Sequence, residues 1–260
     1  MTSDGMPREV AVRASGLGKT YRLGERLRLG GAFTKRLRRE PVHKRTIDAL
    51  DEVTFDVMQG ECIGIVGANG SGKSTFLQIL SRTVVPTRGS LTVRGRVLPM
   101  LSIGAGFHLE LTGRENVVLQ GAILGVPRRT VLARMDDIME FAELKRHADT
   151  PLKRYSVGMQ SRLSFAIGMR FPADIYIFDE VLAVIDGAFR DRCLAEIERI
   201  VGSGPTILFV SHDLGQVARL CERTLWLEHG RLRALGHTEK LLERYRTRQT
   251  PPAGVDDGGP

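Results

Sequence analysis

The chain has few cysteines and few aromatic residues, and it contains no long apolar run. Its three cysteines, Cys62, Cys193 and Cys221, show neither metal-binding nor redox spacing, so we expect reduced thiols rather than a disulfide framework or a zinc site. No apolar stretch approaches the ~18 residues needed to cross a bilayer, and the opening MTSDGMPREV lacks the apolar core of a signal peptide. The sequence therefore predicts neither a membrane span nor export.

The remaining composition is that of an ordinary globular protein. Hydrophobic residues make up 42% and charged residues 26% of 260 residues, which suits one large α/β domain. We place this single domain at residues 1–245. The Pro/Gly-rich ending TPPAGVDDGGP predicts a disordered tail, residues 246–260.

Positive charge is concentrated in one segment. Nine Lys or Arg and two Glu lie in residues 22–46, a local charge of +7 within a total of +8. A protein that grips nucleic acid along a whole face should spread its basic residues more widely. We therefore expect no nucleic-acid partner.

Short apolar runs alternate with helical patterns along the chain. Strands are predicted at residues 10–21, 62–66, 173–180 and 206–213, with a closing hairpin at 224–236 and an inserted helical subdomain at about 108–160. Such alternation predicts a mostly parallel sheet covered on both faces. In such sheets ligands bind at the carboxyl ends of the strands.

A phosphate-binding loop follows the strand at residues 62–66. The stretch GANGSGKST matches G-x-x-x-x-G-K-[ST] in full, directly after a strand and before a helix. Its small residues let backbone N–H groups close around a polyphosphate. Lys73 is predicted to reach the β- and γ-phosphates and Ser74 to ligate Mg²⁺. The predicted ATP-binding residues of the loop are Gly67, Ala68, Asn69, Gly70, Ser71, Gly72, Lys73, Ser74 and Thr75.

Two acids end the predicted strand IYIFDE. Asp179 is predicted to hold Mg²⁺ through its water shell, and Glu180 to polarise the water that attacks the γ-phosphate. Solvated loop carboxylates are the alternative interpretation of such a pair. The preceding P-loop favours the catalytic one.

His212, in VSHD, follows the next strand. A lone histidine is commonly a structural hydrogen-bonding group, but its place after a core strand favours contact with the γ-phosphate and the attacking water. We therefore predict Glu180, His212 and Lys73 as the catalytic residues.

These motifs, with YSVGMQ and AVID, occur in the order typical of an ABC transporter nucleotide-binding subunit, which the chain resembles over residues 10–242. The resemblance implies a P-loop NTPase of the ABC ATPase type: a RecA-like parallel core sheet, an antiparallel β subdomain and an inserted α-helical subdomain. It also implies that Tyr21 stacks on adenine, although packing is an alternative role, and that Asp186 makes contacts between two subunits.

YSVGMQ differs from the commoner L-S-G-G-Q signature but keeps Ser156, Gly158 and Gln160. In this family two subunits face head to tail, and the signature of one closes over the ATP bound to the other. A helix N-terminus with a serine favours phosphate without adding a fixed charge. The resemblance therefore implies a homodimer that ATP holds together and hydrolysis reopens.

The stretch GAGFHLELTGREN resembles the ATPases of polysaccharide exporters, of the O-antigen, teichoic-acid and galactan types. A generic turn into the helical subdomain would explain its glycines but not the whole string. Ser102 stands where a Glu often occurs in these exporters and where most ABC proteins have a glutamine-containing loop. Whether Ser102 substitutes for that residue is left open.

These exporters also resemble the chain in having a basic segment between their first two strands. In AFTKRLRRE, Phe33 and Leu37 lie four residues apart among cations, so a short helix would present an apolar edge and a basic flank to anionic headgroups. A solvated loop is the alternative, because Gly30 and Gly31 disfavour a helix.

The resemblance implies an ATPase at the cytoplasmic face of the plasma membrane. It would drive export of a lipid-linked polysaccharide through a polytopic permease. Some such exporters carry a carbohydrate-binding β-sandwich after the ATPase, and we expect none here. The alternatives are a drug or lipid ABC transporter and, less favoured, a soluble ABC ATPase that acts on nucleic acid or ribosomes. A nucleotide-binding regulator without catalysis should lack Glu180 or His212, and both are present.

Overall fold

The computed structural model describes residues 9–22, 46–100, 104–179 and 187–249 of the chain. Most of the basic segment 22–46, together with Ser102, Glu180, Asp186 and the ending from residue 250, lies outside these ranges.

Two sheets organise the described residues. The strands in chain order are β1 (Val10–Arg22), β2 (Thr46–Met58), β3 (Cys62–Val66), β4 (Arg88–Val93), β5 (Val97–Pro99), β6 (Ile175–Asp179), β7 (Thr206–Val210), β8 (Arg223–Glu228) and β9 (Arg231–His237). Three strands form an antiparallel sheet in the order β2-β1-β4, and six form a second sheet in the order β5-β6-β7-β3-β8-β9. The second sheet is parallel except for β9, which returns beside β8 as the predicted hairpin.

The helices are α1 (Lys73–Leu80), α2 (Gly113–Ile123), α3 (Arg128–Phe141), α4 (Val157–Arg170), α5 (Gly187–Gly202), α6 (Leu214–Leu220) and α7 (Thr238–Gln249). None of the helices in the described part of the chain has the length and apolar character needed to cross a membrane.

Both faces of the parallel sheet are buried, which explains its nearly continuous apolar strands. Along β6, Ile175 and Ile177 pack toward β1, β2 and α1, whereas Tyr176 and Phe178 pack toward the helices that include α3 to α5. This is the two-residue alternation of a strand. Phe76 of α1 meets Phe55 of β2 edge to face at 5.3 Å between ring centroids, which joins the P-loop helix to the antiparallel sheet.

The structure extends the domain at its carboxyl end. The predicted boundary at residue 245 falls inside α7, so residues 246–249 are helical rather than part of a disordered tail. Tyr245 is buried and packs against Trp226 of β8, with ring centroids 5.2 Å apart. This aromatic contact holds α7 on the sheet.

The first strand is also longer than predicted. A strand with a turn was expected at residues 10–21, but β1 runs continuously to Arg22 because it pairs with β2 along its whole length, through register shifts. Within the predicted helical subdomain lie α2, α3 and two short 3-10 turns, while α4 starts there and continues to Arg170.

Candidate active site

Strand register brings three of the predicted motifs to one edge of the parallel sheet. Val210 of β7 pairs with Asp179 of β6 on one side and with Ile65 of β3 on the other. Adjacent strands lie about 4.8 Å apart. Gly67 begins the P-loop two residues beyond Ile65, and His212 lies two residues beyond Val210. The carboxyl ends of β3, β6 and β7 therefore present the loop, the acid and the histidine together.

The P-loop has the backbone form that a polyphosphate cradle requires. Gly70 and Gly72 adopt φ values of +77° and +105°, which side-chain-bearing residues rarely adopt. A Cβ on Gly67 would lie 2.4 Å from the carbonyl oxygen of Leu227 and 2.5 Å from Ser71 Oγ. Ser71 Oγ is itself buried and finds no hydrogen-bond partner among the described residues. A phosphate oxygen would supply an acceptor, so the loop fits a nucleotide polyphosphate.

Lys73 and Ser74 begin α1. The ammonium of Lys73 is buried and donates to the carbonyl oxygens of Gly67, at 2.6 Å, and Ala68, at 3.1 Å. These carbonyls hold the cation across its own loop. Ser74 is exposed and Thr75 half-buried in the same first turn, so the serine hydroxyl is accessible at the helix N-terminus.

The P-loop is supported from behind by segments far away in sequence. The N–H of Gly230 donates to the carbonyl of Ser71 at 3.0 Å, and the N–H of Asp51 donates to the carbonyl of Gly230 at 2.8 Å. Asp51 also accepts two hydrogen bonds from Arg231, at 2.6 and 3.0 Å. The hairpin tip between β8 and β9 is thus wedged between β2 and the loop. Sequence reasoning found the hairpin but missed this support, for which the sequence offers no local signal.

Asp179 and His212 differ in exposure. Asp179 is half-buried at the end of β6, whereas His212 is exposed between β7 and α6. Asp213, the last residue of the SHD motif, is the N-cap of α6 and accepts from the N–H groups of Gly215 and Gln216 at 2.9 and 3.2 Å. This cap fixes the backbone directly after His212. Glu180 lies outside the described residues.

Tyr21 lies near the end of β1, where it pairs with Ile47 of β2. Its ring is exposed and lies 5.2 Å from the Lys19 ammonium. Ala49 lies two residues after Ile47 on β2, and its carbonyl oxygen would be 2.6 Å from a Cβ on Gly72. This strand therefore passes close to the P-loop. Tyr21 is therefore a surface aromatic on the strand pair that borders the P-loop, as stacking on a base would require.

The signature segment begins α4. Ser156 is the N-cap, and its hydroxyl accepts from the N–H of Met159 at 3.2 Å. Tyr155 is buried and donates to the carbonyl of His147 at 2.7 Å, while burial, with a smaller contribution from the charge of Asp149, raises the pKa of its phenol. The buried tyrosine anchors the segment and leaves Ser156 exposed.

Gln160 and Gly158 have different local roles. The amide of Gln160 lies 3.5 Å from the carbonyl oxygens of Leu152 and Tyr155, at the limit of a hydrogen bond. A Cβ on Gly158 would meet only Ser156 Oγ, at 3.8 Å. Nothing in the described part of the chain therefore requires a glycine at position 158.

A helix cap explains much of the TGREN string, a signal that sequence reasoning missed. Thr112 and Glu115 form a reciprocal capping box at the start of α2. Hydrogen bonds from the backbone and hydroxyl of Thr112 lower the pKa of the Glu115 carboxyl. Asn116 bonds to both the N–H and the carbonyl of His108. A Cβ on Gly113 would lie 2.4 Å from the Tyr155 hydroxyl, so this loop packs directly behind the signature segment.

Comparison with known proteins agrees with these motifs. Residues 50–183, about half of the chain, match the model of the ABC transporter family. The chain is 44% identical over 198 residues to the O-antigen export system ATP-binding protein RfbB of Klebsiella pneumoniae, which covers 76% of this chain and 80% of the relative. It is 40% identical over 243 residues to the teichoic acids export ATP-binding protein TagH of Enterococcus faecalis, which covers 93% of this chain and 53% of the relative. The chain thus spans about half the length of this second relative.

Solved structures confirm the predicted fold. A dimeric ATP-binding cassette in a post-hydrolysis state, bound to ADP and Pi, matches with a TM-score of 0.69 at 23% identity, covering 87% of this chain and 98% of that one. An ATP-binding subunit of an ABC transporter matches with a TM-score of 0.71 at 20% identity. The match covers 92% of this chain and 95% of that subunit.

Proposed function

The chain belongs to the ABC transporter family, and from this premise we propose that it is the ATP-hydrolysing subunit of an exporter for a lipid-linked polysaccharide. It would act as a homodimer with a separate polytopic permease. The convergence of the P-loop, Asp179 and His212 at one sheet edge carries the ATPase part of this proposal. Two relatives are named as ATP-binding proteins of O-antigen export and of teichoic acids export. These names support a polysaccharide as the proposed substrate.

The predicted catalytic residues have complementary roles in the proposed hydrolysis. Lys73 neutralises charge that builds on the phosphates, Glu180 orients and polarises the attacking water, and His212 contacts the γ-phosphate. Tyr21 stacks on the adenine. Mg²⁺ would be held by the Ser74 hydroxyl and, through water, by Asp179, which are oxygen ligands of the kind it prefers, and would neutralise phosphate charge.

The surface at the start of α4 supports the proposed dimer. Val157, between Ser156 and Gly158, leaves 78% of its surface exposed, and a glycine inside a helix is less favourable than alanine by up to ~1 kcal/mol. Since no neighbour in the described part of the chain requires a glycine at position 158, close approach of a ligand from outside is the physical reason that we propose for it. The ATP of a second subunit is the ligand that we propose, with Gln160 supporting the segment and Asp186 making contacts between the subunits.

The proposed location is the cytoplasmic face of the plasma membrane, as a peripheral subunit. The basic segment at residues 22–46 would lie against anionic headgroups, where each cation contributes about 1 kcal/mol. Neutralising Arg36, Arg38 and Arg39 together should reduce transport and spare ATP hydrolysis by the isolated subunit. Unchanged transport would contradict this role.

The Glu180→Gln variant tests the whole proposal. With Mg-ATP it should sediment as a dimer and hydrolyse ATP at least ~100-fold more slowly than the wild type. In host cells it should cause lipid-linked glycan to accumulate. The wild type with ADP, which should remain monomeric, is the control. A variant that stays monomeric with ATP would refute the dimer. Copurified nucleic acid without accumulated glycan would favour a soluble ATPase instead.

A further inference from the structure

The amino-terminal halves of α4 and α5 are joined by a single carboxylate. Glu143, in the turn after α3, accepts a hydrogen bond from Arg162 of α4 at 2.5 Å and another from Arg192 of α5. Arg192 also donates to the carbonyl of Phe141 at 3.3 Å. The Glu143 side chain thus joins in space two helices that are separated along the chain by β6.

Aromatic rings fix the geometry of this tie. The guanidinium of Arg192 lies 5.2 Å from the ring centroid of Phe141 and 5.6 Å from that of Phe189, and that of Arg162 lies 5.1 Å from Phe189. The two rings meet edge to face at 5.5 Å and are both buried. Planar guanidinium groups stacked on buried rings have little freedom to slide.

Backbone conformation indicates that the tie is built at a cost. Glu143 has φ of +62°, a left-handed conformation that costs a residue with a side chain about 1–2 kcal/mol. A glycine would relieve this strain but would remove the carboxylate. Strained residues of this kind often mark functional positions.

The tie lies close in sequence to two parts of the proposed ATP site. Arg162 is six residues after Ser156, and Arg192 is six residues after Asp186. A second tie at the other end of α4, where Arg170 bonds to Glu196 of α5, keeps the two helices from pivoting apart. The Arg170 and Glu196 side chains are only 13% and 11% exposed, so this second contact is largely structural.

We propose that Arg192 is a positioning residue for ATP hydrolysis. It holds α5 to α4 through Glu143, so that engagement of the signature by the neighbouring subunit's ATP is transmitted from α4 to α5, the helix that follows Asp179 and Glu180 in the chain. This inference rests on the proposed dimeric ATPase. Loss of the Arg192 contact should therefore weaken the coupling between the two nucleotides of the dimer.

The Arg192→Met variant of the full chain tests this role, because methionine replaces the aliphatic part of the arginine side chain and lacks the guanidinium cation. We expect kcat for ATP hydrolysis to fall about tenfold and the Hill coefficient for ATP to approach one. The dissociation constant for ATP, measured at concentrations where the chain is monomeric, should stay within about twofold, since the P-loop is untouched. Arg192→Lys, which keeps the charge beside Glu143, should recover part of kcat.

Arg199→Met is the matched control, because Arg199 is on the same helix and, among the described residues, its hydrogen bonds go to Glu196 of that helix. If Arg192→Met does not fold, Glu143→Gln removes the shared negative charge and one of the two acceptor oxygens, and it should lower kcat in the same direction. Equal effects of the Arg192 and Arg199 substitutions would overturn this inference but not the proposed function. So would an Arg192 variant whose kcat and Hill coefficient match those of an active wild type. A wild type without ATP hydrolysis would overturn the proposed function as well.

Discussion

The amino-terminal ends of α1 and α4 differ in how each would hold a phosphate. The end of α1 has a buried lysine, a loop with left-handed glycines and a backbone hydrogen bond from Gly230 behind it. The end of α4 has no cation in its first turn and offers an exposed hydroxyl, an exposed valine and a glycine at which a Cβ would make only ordinary contact. The residues of the first lie within one chain, whereas for the second we propose a ligand that another subunit brings.

This difference predicts different consequences of mutation. Changes at α1 should weaken nucleotide binding by a single chain. Changes at α4 should leave that binding intact and affect only reactions that need two chains.

The largest expected effect is that of Lys73→Ala. It removes the ammonium beside the loop carbonyls, so phosphate release at saturating Mg-ATP should fall about 10³-fold. Lys153→Ala is the control, because Lys153 is not a P-loop residue and forms an exposed pair with Glu110. A Lys73 variant within tenfold of wild type would contradict the assignment of the P-loop as the catalytic phosphate site.

A smaller effect is expected at Ser156. Two variants can distinguish its role as a helix cap from its proposed contact with phosphate. Aspartate and asparagine both cap helices well, but only aspartate adds a negative charge. Ser156→Asp should lower kcat about 10²-fold by repelling the neighbour's phosphate, and Ser156→Asn should lower it less. Thermal unfolding and ATP binding by the monomer should be nearly unchanged in both.

Equal kcat values for the two Ser156 variants would show that charge at this position is irrelevant. Weaker ATP binding by the Ser156→Asp monomer would place the segment beside the nucleotide of its own chain, against the head-to-tail arrangement.

The smallest effect is expected at Gly158, where stability and activity should change in opposite directions. Gly158→Ala should stabilise the monomer by about 0.5 kcal/mol in urea unfolding, because it restricts the unfolded chain. The added methyl group should hinder the approaching ATP and lower kcat about tenfold. Gly202→Ala, on α5 and in open space, should leave kcat unchanged. A Gly158 variant with wild-type kcat would contradict close approach at this position.

The parallel strands and the P-loop could be predicted because their signals are local. The strand at residues 62–66 was predicted with the bounds that the structure shows, and the hairpin around His229 and Gly230 is present. The predicted strand at 173–180 begins two residues later, because pairing starts at Ile175, and the predicted strand at 206–213 is shorter because pairing ends at Val210. Strand ends depend on partners that periodicity does not reveal.

Other features could not be read from local patterns. Only the structure shows that β4 joins the antiparallel sheet and that β5 lies at the edge of the parallel sheet. Helix α7 was missed, since its polar sequence becomes stable only when Tyr245 packs on Trp226.

The sequence alone determined the chemistry of the chain: a lysine, small residues and a hydroxyl in one contiguous loop, and acids and a histidine after apolar strands. These features depend on neighbours within a few residues, where backbone geometry sets the outcome. The tertiary structure decided which of them meet and what supports them, from the register of β6, β7 and β3 to the contact of Gly230 with Ser71 and the tie at Glu143. Such contacts join residues far apart in the chain, and they exist only once the sheets and helices have packed.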